Sequence, residues 1–142
     1  RALVVFEATG QPISRLQKQR KGLSEKYEVK IFGLNMPREK LYQRIDERAE
    51  EMFNLGLIAE VKRLLKSKLS KTARYAIGIR ELKGYFEGLY GLEEAKCLIK
   101  RNTRLYAKRQ MTWFKKDKRI NWIQIGEKEK AQTVANKIVK QL

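Results

Sequence analysis

Thr103-Arg104-Leu105-Tyr106-Ala107-Lys108-Arg109-Gln110-Met111-Thr112-Trp113-Phe114 is the stretch around which the rest of the chain can be arranged. It continues an apolar-periodic run, Leu92, Ala95, Leu98 and Ile99, and no Gly or Pro interrupts the sequence before Gly126. The spacing predicts one helix from Leu92 to about Phe114. At about 100° per residue, Ala95, Leu98, Ile99, Asn102, Leu105, Tyr106 and Trp113 share one face. Arg101, Arg104, Lys108 and Lys115 form a second, basic stripe well away from it.

Arg109 breaks the pattern, because it projects into the apolar stripe. Burying an unpaired charge costs several kcal/mol, so a guanidinium where a Leu would pack is a candidate for function. The competing expectation is that it snorkels or meets a carboxylate on a neighbouring helix.

Charge narrows the partners. The 142 residues hold 33 Lys and Arg against 16 Asp and Glu, a formal charge of +17. Apolar residues make up 42%, enough for a core and too many for a disordered basic tail. Such self-repulsion opposes compactness, and its usual reason is a polyanion, most often a nucleic acid. An acidic membrane surface is the rival, yet no amphipathic anchor helix stands out. No segment approaches the roughly 18 uninterrupted apolar residues of a membrane span, and no signal peptide is visible. The chain starts at Arg1 and holds one cysteine, Cys97, and no histidine. The single thiol fits a reducing, cytoplasmic setting. The composition argues against a protein-built zinc site and excludes imidazole catalysis within these residues.

Taken in order, Ala2 to Thr9 reads as the end of a helix stopped by Gly10. Pro12 opens a short helix over about Ile13 to Arg20, closed by a basic cluster of Lys18, Arg20 and Lys21. Tyr27, Val29 and Ile31 alternate with Glu28 and Lys30, which predicts a half-buried strand from Tyr27 to about Leu34. Asn35-Met36-Pro37 starts a helix that runs to about Leu55, with Leu41, Ile45, Ala49, Met52 and Phe53 inward and Gly56 as the stop. Arg44 and Arg48 share a face beside that stripe; pairing with Glu47 or Glu51 is the plain structural expectation for them.

Leu57, Ile58, Val61, Leu64 and Leu65 make a further helix. In Tyr75-Ala76-Ile77-Gly78-Ile79-Arg80, Gly78 among small and apolar neighbours implies close backbone approach, either to a packed element or to a ligand. A helix over about Ile79 to Phe86 precedes Gly88 and Gly91. Ile120 to Ile125 is a short strand with apolar residues on both faces, as in a buried sheet. Ala131, Val134, Ala135, Ile138 and Leu142 form a closing amphipathic helix. Two strands make no stable sheet alone and call for partners. No phosphate loop, dinucleotide fingerprint or nucleophile elbow is present. Asp46 is the nearest approach to a catalytic carboxylate, and a helix-surface role suits it better.

Four blocks read together are more specific. Arg1-Ala2-Leu3 with Thr9-Gly10-Gln11-Pro12-Ile13-Ser14 resembles the R-A-L-E-V … T-G-x-P-[IL]-S run of the tRNA dimethylallyltransferase family. Met36-Pro37-Arg38-Glu39, Leu41-Tyr42-x-Arg44-Ile45-x-x-Arg48, Met52, Gly56-Leu57 and Glu60-Val61 resemble its next block. Ala76-Ile77-Gly78-Ile79-Arg80-Glu81-Leu82 resembles its A-I-G-Y-[KR]-E-[LM] block. Thr103-Arg104-x-Tyr106-Ala107-Lys108-Arg109-Gln110-x-Thr112-Trp113-Phe114 resembles its T-R-[RQ]-[YL]-A-K-R-Q-x-T-W-[FL] block. The blocks keep the family's order and span nearly the whole chain. Two departures stand out: Val4 replaces the glutamate of the first block, and Ile79 the tyrosine of the third.

The resemblance implies a helix-rich α/β fold, the C-terminal part of a P-loop kinase-like domain. Residues 1–26 would end its helical insertion, and residues 27–142 would be core with tRNA-binding helices. It implies transfer of a dimethylallyl group from dimethylallyl diphosphate to N6 of the adenosine 3′ of the tRNA anticodon, with Mg2+ as cofactor. The phosphate loop and general-base aspartate are expected upstream of Arg1, so this part alone would be inactive. Expected partners are the anticodon stem-loop and dimethylallyl diphosphate, with no membrane, in a monomeric, cytoplasmic protein.

By position, Tyr75, Ala76, Ile77, Gly78, Ile79 and Arg80 would contact tRNA. So would Arg104, Leu105, Tyr106, Ala107, Lys108, Arg109, Gln110 and Met111, with Arg1 and Arg101 as further basic contacts. Arg104 and Lys108 would hold phosphates. Arg109 would line or brace the reaction channel, and Arg48 would face the donor diphosphate. An alternative stays open: a non-catalytic RNA-binding module derived from the same fold.

Overall fold

The structure, a computed structural model, describes residues 2–19, 26–126 and 129–142. Its contacts divide the chain into two compact units, Arg1–Ile31 and Phe32–Leu142.

The first unit contains α1 (Ala2–Thr9) and α2 (Ile13–Lys18). Helix α1 stops where expected, at Gly10, whose φ of +64° is a left-handed conformation that glycine adopts without a Cβ penalty. Pro12 immediately precedes α2. Arg1, Arg20 and Lys21 lie outside the described residues.

β1 (Ile31–Asn35) starts at the last residue of the first unit and otherwise belongs to the second, where α3 (Arg38–Asn54), α4 (Leu57–Leu64) and α5 (Lys71–Arg74) follow it. Then come α6 (Ile79–Phe86), α7 (Leu92–Phe114), β2 (Ile120–Gln124) and α8 (Ala131–Val139). The strands pair as a two-stranded parallel sheet. β1 begins four residues later than the alternation predicts: Tyr27 and Val29 are 66% and 50% exposed and lie outside it. The cause is the length of the partner, since β2 offers only five residues to pair with. Gly33 makes the pairing possible on one face, because a Cβ there would stand 2.7 Å from the Trp122 ring and 2.8 Å from Ile120.

The core lies among α3, α4, α6 and the first half of α7, where Ala49, Leu57, Val61, Leu82, Ala95 and Ile99 are buried together. Gly56, at φ +97°, reverses the chain between α3 and α4 and brings Leu57 and Val61 onto Ala49. Two ion pairs tie α3 to α7: Glu50 to Lys100 Nζ at 2.5 Å and Asp46 to Arg104 Nη1 at 3.5 Å. The Lys100 hydrogen bond and its charge hold the Glu50 carboxyl below the ordinary range.

Helix α7 spans Leu92–Phe114 as predicted, but only its N-terminal half is a core helix. Ala95 and Ile99 are buried, whereas Leu105, Tyr106 and Trp113 on the same stripe are 47%, 50% and 69% exposed. Arg109 is therefore exposed, and the expectation of a charge packed where a Leu belongs is corrected. The stripe continues past the point where α6 stops covering it.

Candidate nucleic-acid interface

Two segments far apart in sequence meet at one carboxylate. Glu81, 2% exposed, is the one buried charged side chain among the described residues. It stands third after Gly78 at the start of α6, and its Oε2 accepts the Gly78 N–H at 2.8 Å. This is half of a capping box; glycine offers no side chain for the reciprocal bond. Its Oε1 accepts Nη2 and Nε of Arg80 at 2.6 and 3.0 Å and Nδ2 of Asn102 on α7 at 2.8 Å. Burial pushes this carboxyl up, but the Gly78, Arg80 and Asn102 donors outweigh burial and hold it below the ordinary range. The Gly78 turn is thereby fixed against α7.

Gly78 itself sits at φ +96°, a conformation in which any Cβ is strained, and open space lies where that Cβ would be. Behind the loop, the Tyr90 hydroxyl donates to the Glu81 carbonyl at 2.8 Å. Gly84 leaves room for that ring: a Cβ there would stand 2.6 Å from the Tyr90 Cζ.

The junction creates two cavities back to back. One, of about 730 Å3, is lined by Tyr75, Ala76, Ile77, Arg80, Leu105, Tyr106 and Arg109, with Thr72 and Asn102. Here Tyr75 is 65% exposed. Arg109 has no ion pair or hydrogen-bond partner among the described residues. The other, of about 640 Å3, is apolar and lies at the C-terminal ends of both strands, between α3 and α7. Leu41, Ile45, Met52, Ile99 and Met111 supply much of its wall, and Arg44, Arg48 and Gln110 its polar groups. Ile77 lines both cavities and Gly78 only the apolar one.

The predicted site residues distribute over these walls. Tyr75, Ala76, Ile77, Arg80, Leu105, Tyr106 and Arg109 come together on the first cavity, and Ile77, Gly78, Ala107, Gln110 and Met111 on the apolar one, while Ile79 lines neither. Lys108 lines a smaller cavity of about 420 Å3 with Arg38, Tyr42 and Lys115. Arg104 is held between Asp46 and the Tyr42 ring, its guanidinium carbon 5.8 Å from the ring centroid. Arg38 lies over the same ring at 5.0 Å and donates to the Tyr42 hydroxyl at 2.9 Å. Arg48 pairs with Glu51 at 2.6 Å, the plain outcome for that spacing. Arg101 is exposed and lines none of these cavities. Ile79 is half-buried at the first position of α6.

Sequence reasoning missed the organising role of Glu81 and Asn102. Two signals were there: a glycine followed three residues later by Glu at a helix start, and an amide on an apolar stripe. It also missed Tyr42 as the platform beneath two arginines. Among the described residues no cluster of three or more Cys, Asp and Glu side chains could hold a metal ion. The charged groups on the apolar cavity are both cationic, so these residues do not fit the expected Mg2+. No helix among the described residues is long and apolar enough to cross a membrane.

Comparison with known proteins decides the family. A sequence profile described as IPP transferase matches residues 1–117. The chain belongs to the IPP transferase family. A relative named tRNA dimethylallyltransferase from Carboxydothermus hydrogenoformans is 48% identical over 140 residues, covering 98% of this chain and 45% of the relative. One of the same name from Desulforamulus reducens is 45% identical over 143 residues, covering 100% of this chain and 50% of the relative. The crystal structure of tRNA delta(2)-isopentenylpyrophosphate transferase from Staphylococcus epidermidis superposes with a TM-score of 0.74 at 30% identity. That match covers 99% of this chain and 46% of the other. The full-length tRNA isopentenylpyrophosphate transferase from Bacillus halodurans gives 0.70 at 36% identity, over 81% and 39% of the two chains. The chain thus spans about half the length of the curated relatives it matches, and its helix-rich α/β architecture is that of the solved family members.

Proposed function

We propose that this IPP transferase chain supplies acceptor recognition and one wall of the reaction channel for dimethylallyl transfer to N6 of an adenosine 3′ of a tRNA anticodon. The observation that carries the reading is the pair of cavities separated by Ile77 at the Glu81–Asn102 junction. Chemistry on an exocyclic amine requires a base taken out of its stack. The basic, aromatic side offers Tyr75 and Tyr106 as stacking surfaces and Arg80 and Arg109 as cations, a combination suited to an anticodon loop. The apolar side suits a five-carbon allyl chain, and Arg44 and Arg48 at its wall suit the diphosphate, where positive charge stabilises a leaving group.

Each side chain has a role. Arg104 and Lys108 on the opposite flank of α7 attract and position phosphates. The Gly78 turn presents backbone without a side chain to the apolar, donor side, with Ile77 between it and the RNA side. Arg109 orients the acceptor on the RNA side, and Gln110 and Met111 face the donor. Mg2+ has no ligand set among the described residues and enters no step.

The test is binding of the chain to an anticodon stem-loop at two salt concentrations, after circular dichroism shows the sample folded. Salt-sensitive binding that falls when the adenosine 3′ of the anticodon is replaced supports acceptor recognition. A folded sample that ignores the stem-loop overturns it.

A further inference from the structure

A cationic surface outside the two cavities remains unused. Beyond Tyr75 a third concavity, of about 810 Å3, is lined by Lys71, Arg74, Tyr75, Arg80, Lys83 and Tyr90, among others. Tyr75 and Arg80 line both this concavity and the one facing Arg109, so the two surfaces are continuous over a shared lip. The short helix α5 is fixed in place: the Ser70 Oγ accepts the Ala73 N–H at 3.2 Å. Lys71 and Arg74, three residues apart on that turn, therefore share a face. Lys83 is paired with Glu87 and Arg80 with Glu81. Lys71 and Arg74 have no side-chain ion pair or hydrogen bond among the described residues.

We propose that this face of α5 carries RNA backbone beyond the anticodon stem-loop, with Lys71 and Arg74 each engaging a phosphate of the strand that continues past the acceptor concavity over Tyr75 and Arg80. The inference rests on the acceptor-recognition reading and extends its footprint to residues outside the segments expected to contact tRNA. Continuity and charge favour a polyanionic strand over a small phosphate. The surface is an open lip with two unpaired cations and an exposed tyrosine, which suits a strand with one charge per nucleotide.

The experiment compares the chain with its Lys71→Ala/Arg74→Ala variant, measuring affinity for an intact tRNA and for a minimal anticodon stem-loop across a salt series. Both side chains are exposed, so the fold should be unaffected. The expected result is roughly tenfold weaker tRNA binding and a log–log salt slope shallower by about 1.4 to 1.8, two phosphates at 0.7 to 0.9 each. Binding of the minimal stem-loop should not change. A Lys62→Ala/Arg63→Ala control makes the same charge change on an exposed part of α4 and should leave both affinities alone. Unchanged tRNA binding overturns the proposal. So does equal weakening on both RNAs, or an effect the α4 control reproduces. A wild-type chain that binds neither RNA removes the acceptor-recognition reading and this extension together.

Discussion

Nδ2 of Asn102 lies 2.8 Å from Oε1 of Glu81, so an amide on the apolar stripe of α7 completes the ring of donors around the carboxylate that opens α6. Glu81→Ala would leave the Gly78 N–H and the Asn102 amide without an acceptor and remove the partner of Arg80. The expected cost is about 3 kcal/mol, read from the urea midpoint, with Glu81→Gln costing less because one oxygen remains to accept.

The same carboxylate sets a pH dependence. Its folded pKa lies below the unfolded value of about 4.3, so its stabilisation is complete above that value. It is lost as pH falls through the folded pKa. Glu81→Gln should flatten the acid limb of the stability profile; an acid limb identical to that of the wild type would remove Glu81 from this role.

Asp117 offers a second, local acid response. Its Oδ1 accepts both the Arg119 N–H at 3.0 Å and Nε at 2.9 Å, and its Oδ2 accepts Nη2 at 2.6 Å. These bonds lower its carboxyl to about 2. The turn into β2 should therefore hold until pH falls toward that value, and the Asp117 carboxyl carbon should titrate there by NMR. In Arg119→Ala the same resonance should move back toward the ordinary carboxylate range.

Gly84 makes a sharper steric prediction. The Cβ of Gly84→Ala would meet the Tyr90 ring, displace it and break the hydroxyl bond to the Glu81 carbonyl. A loss of about 2 to 4 kcal/mol follows, against about 1 kcal/mol for Tyr90→Phe, which removes only the hydrogen bond. Chemical denaturation of the two variants separates the terms; similar losses would show that ring crowding is not what Gly84 prevents.

How far the sequence could be read depends on where its signals are local. Helices α3, α4, α6 and α7 are bounded by Gly56, Gly78, Gly88 and Gly91, whose effects act within a turn, and each runs close to where periodicity puts it. The start of β1 was not readable, because a strand ends where its partner ends and the length of β2 is not encoded around Tyr27. Arg109 shows the same limit. Its direction follows from helical phase, but whether that direction is buried depends on α6, which ends at Phe86. The pairing of the Gly78 loop with α7 depends on Glu81 meeting Asn102, a contact across 21 residues that no local pattern announces.

Lys108 and Arg109, neighbours in sequence, face different surfaces and should fail differently. Lys108 lines the flank with Arg38 and Lys115, a basic surface suited on the proposed reading to phosphate alone. Lys108→Ala should weaken binding of every tRNA sequence alike and reduce the salt slope by about 0.9. Arg109 instead lines the concavity with Tyr75 and Tyr106, on the side of Ile77 proposed to take RNA. Arg109→Ala should alter selection of the adenosine 3′ of the anticodon. In a transferase of the full length of its relatives, it should lower turnover more than tRNA affinity. Tyr106→Ala should cost about 1 to 3 kcal/mol of stem-loop affinity, with Tyr106→Phe close to wild type, because stacking uses the ring and not the hydroxyl. Binding titrations over adenosine and substituted loops distinguish the two flanks. A sequence-independent loss in Arg109→Ala with a selective loss in Lys108→Ala would reverse the assignment of the two sides of α7.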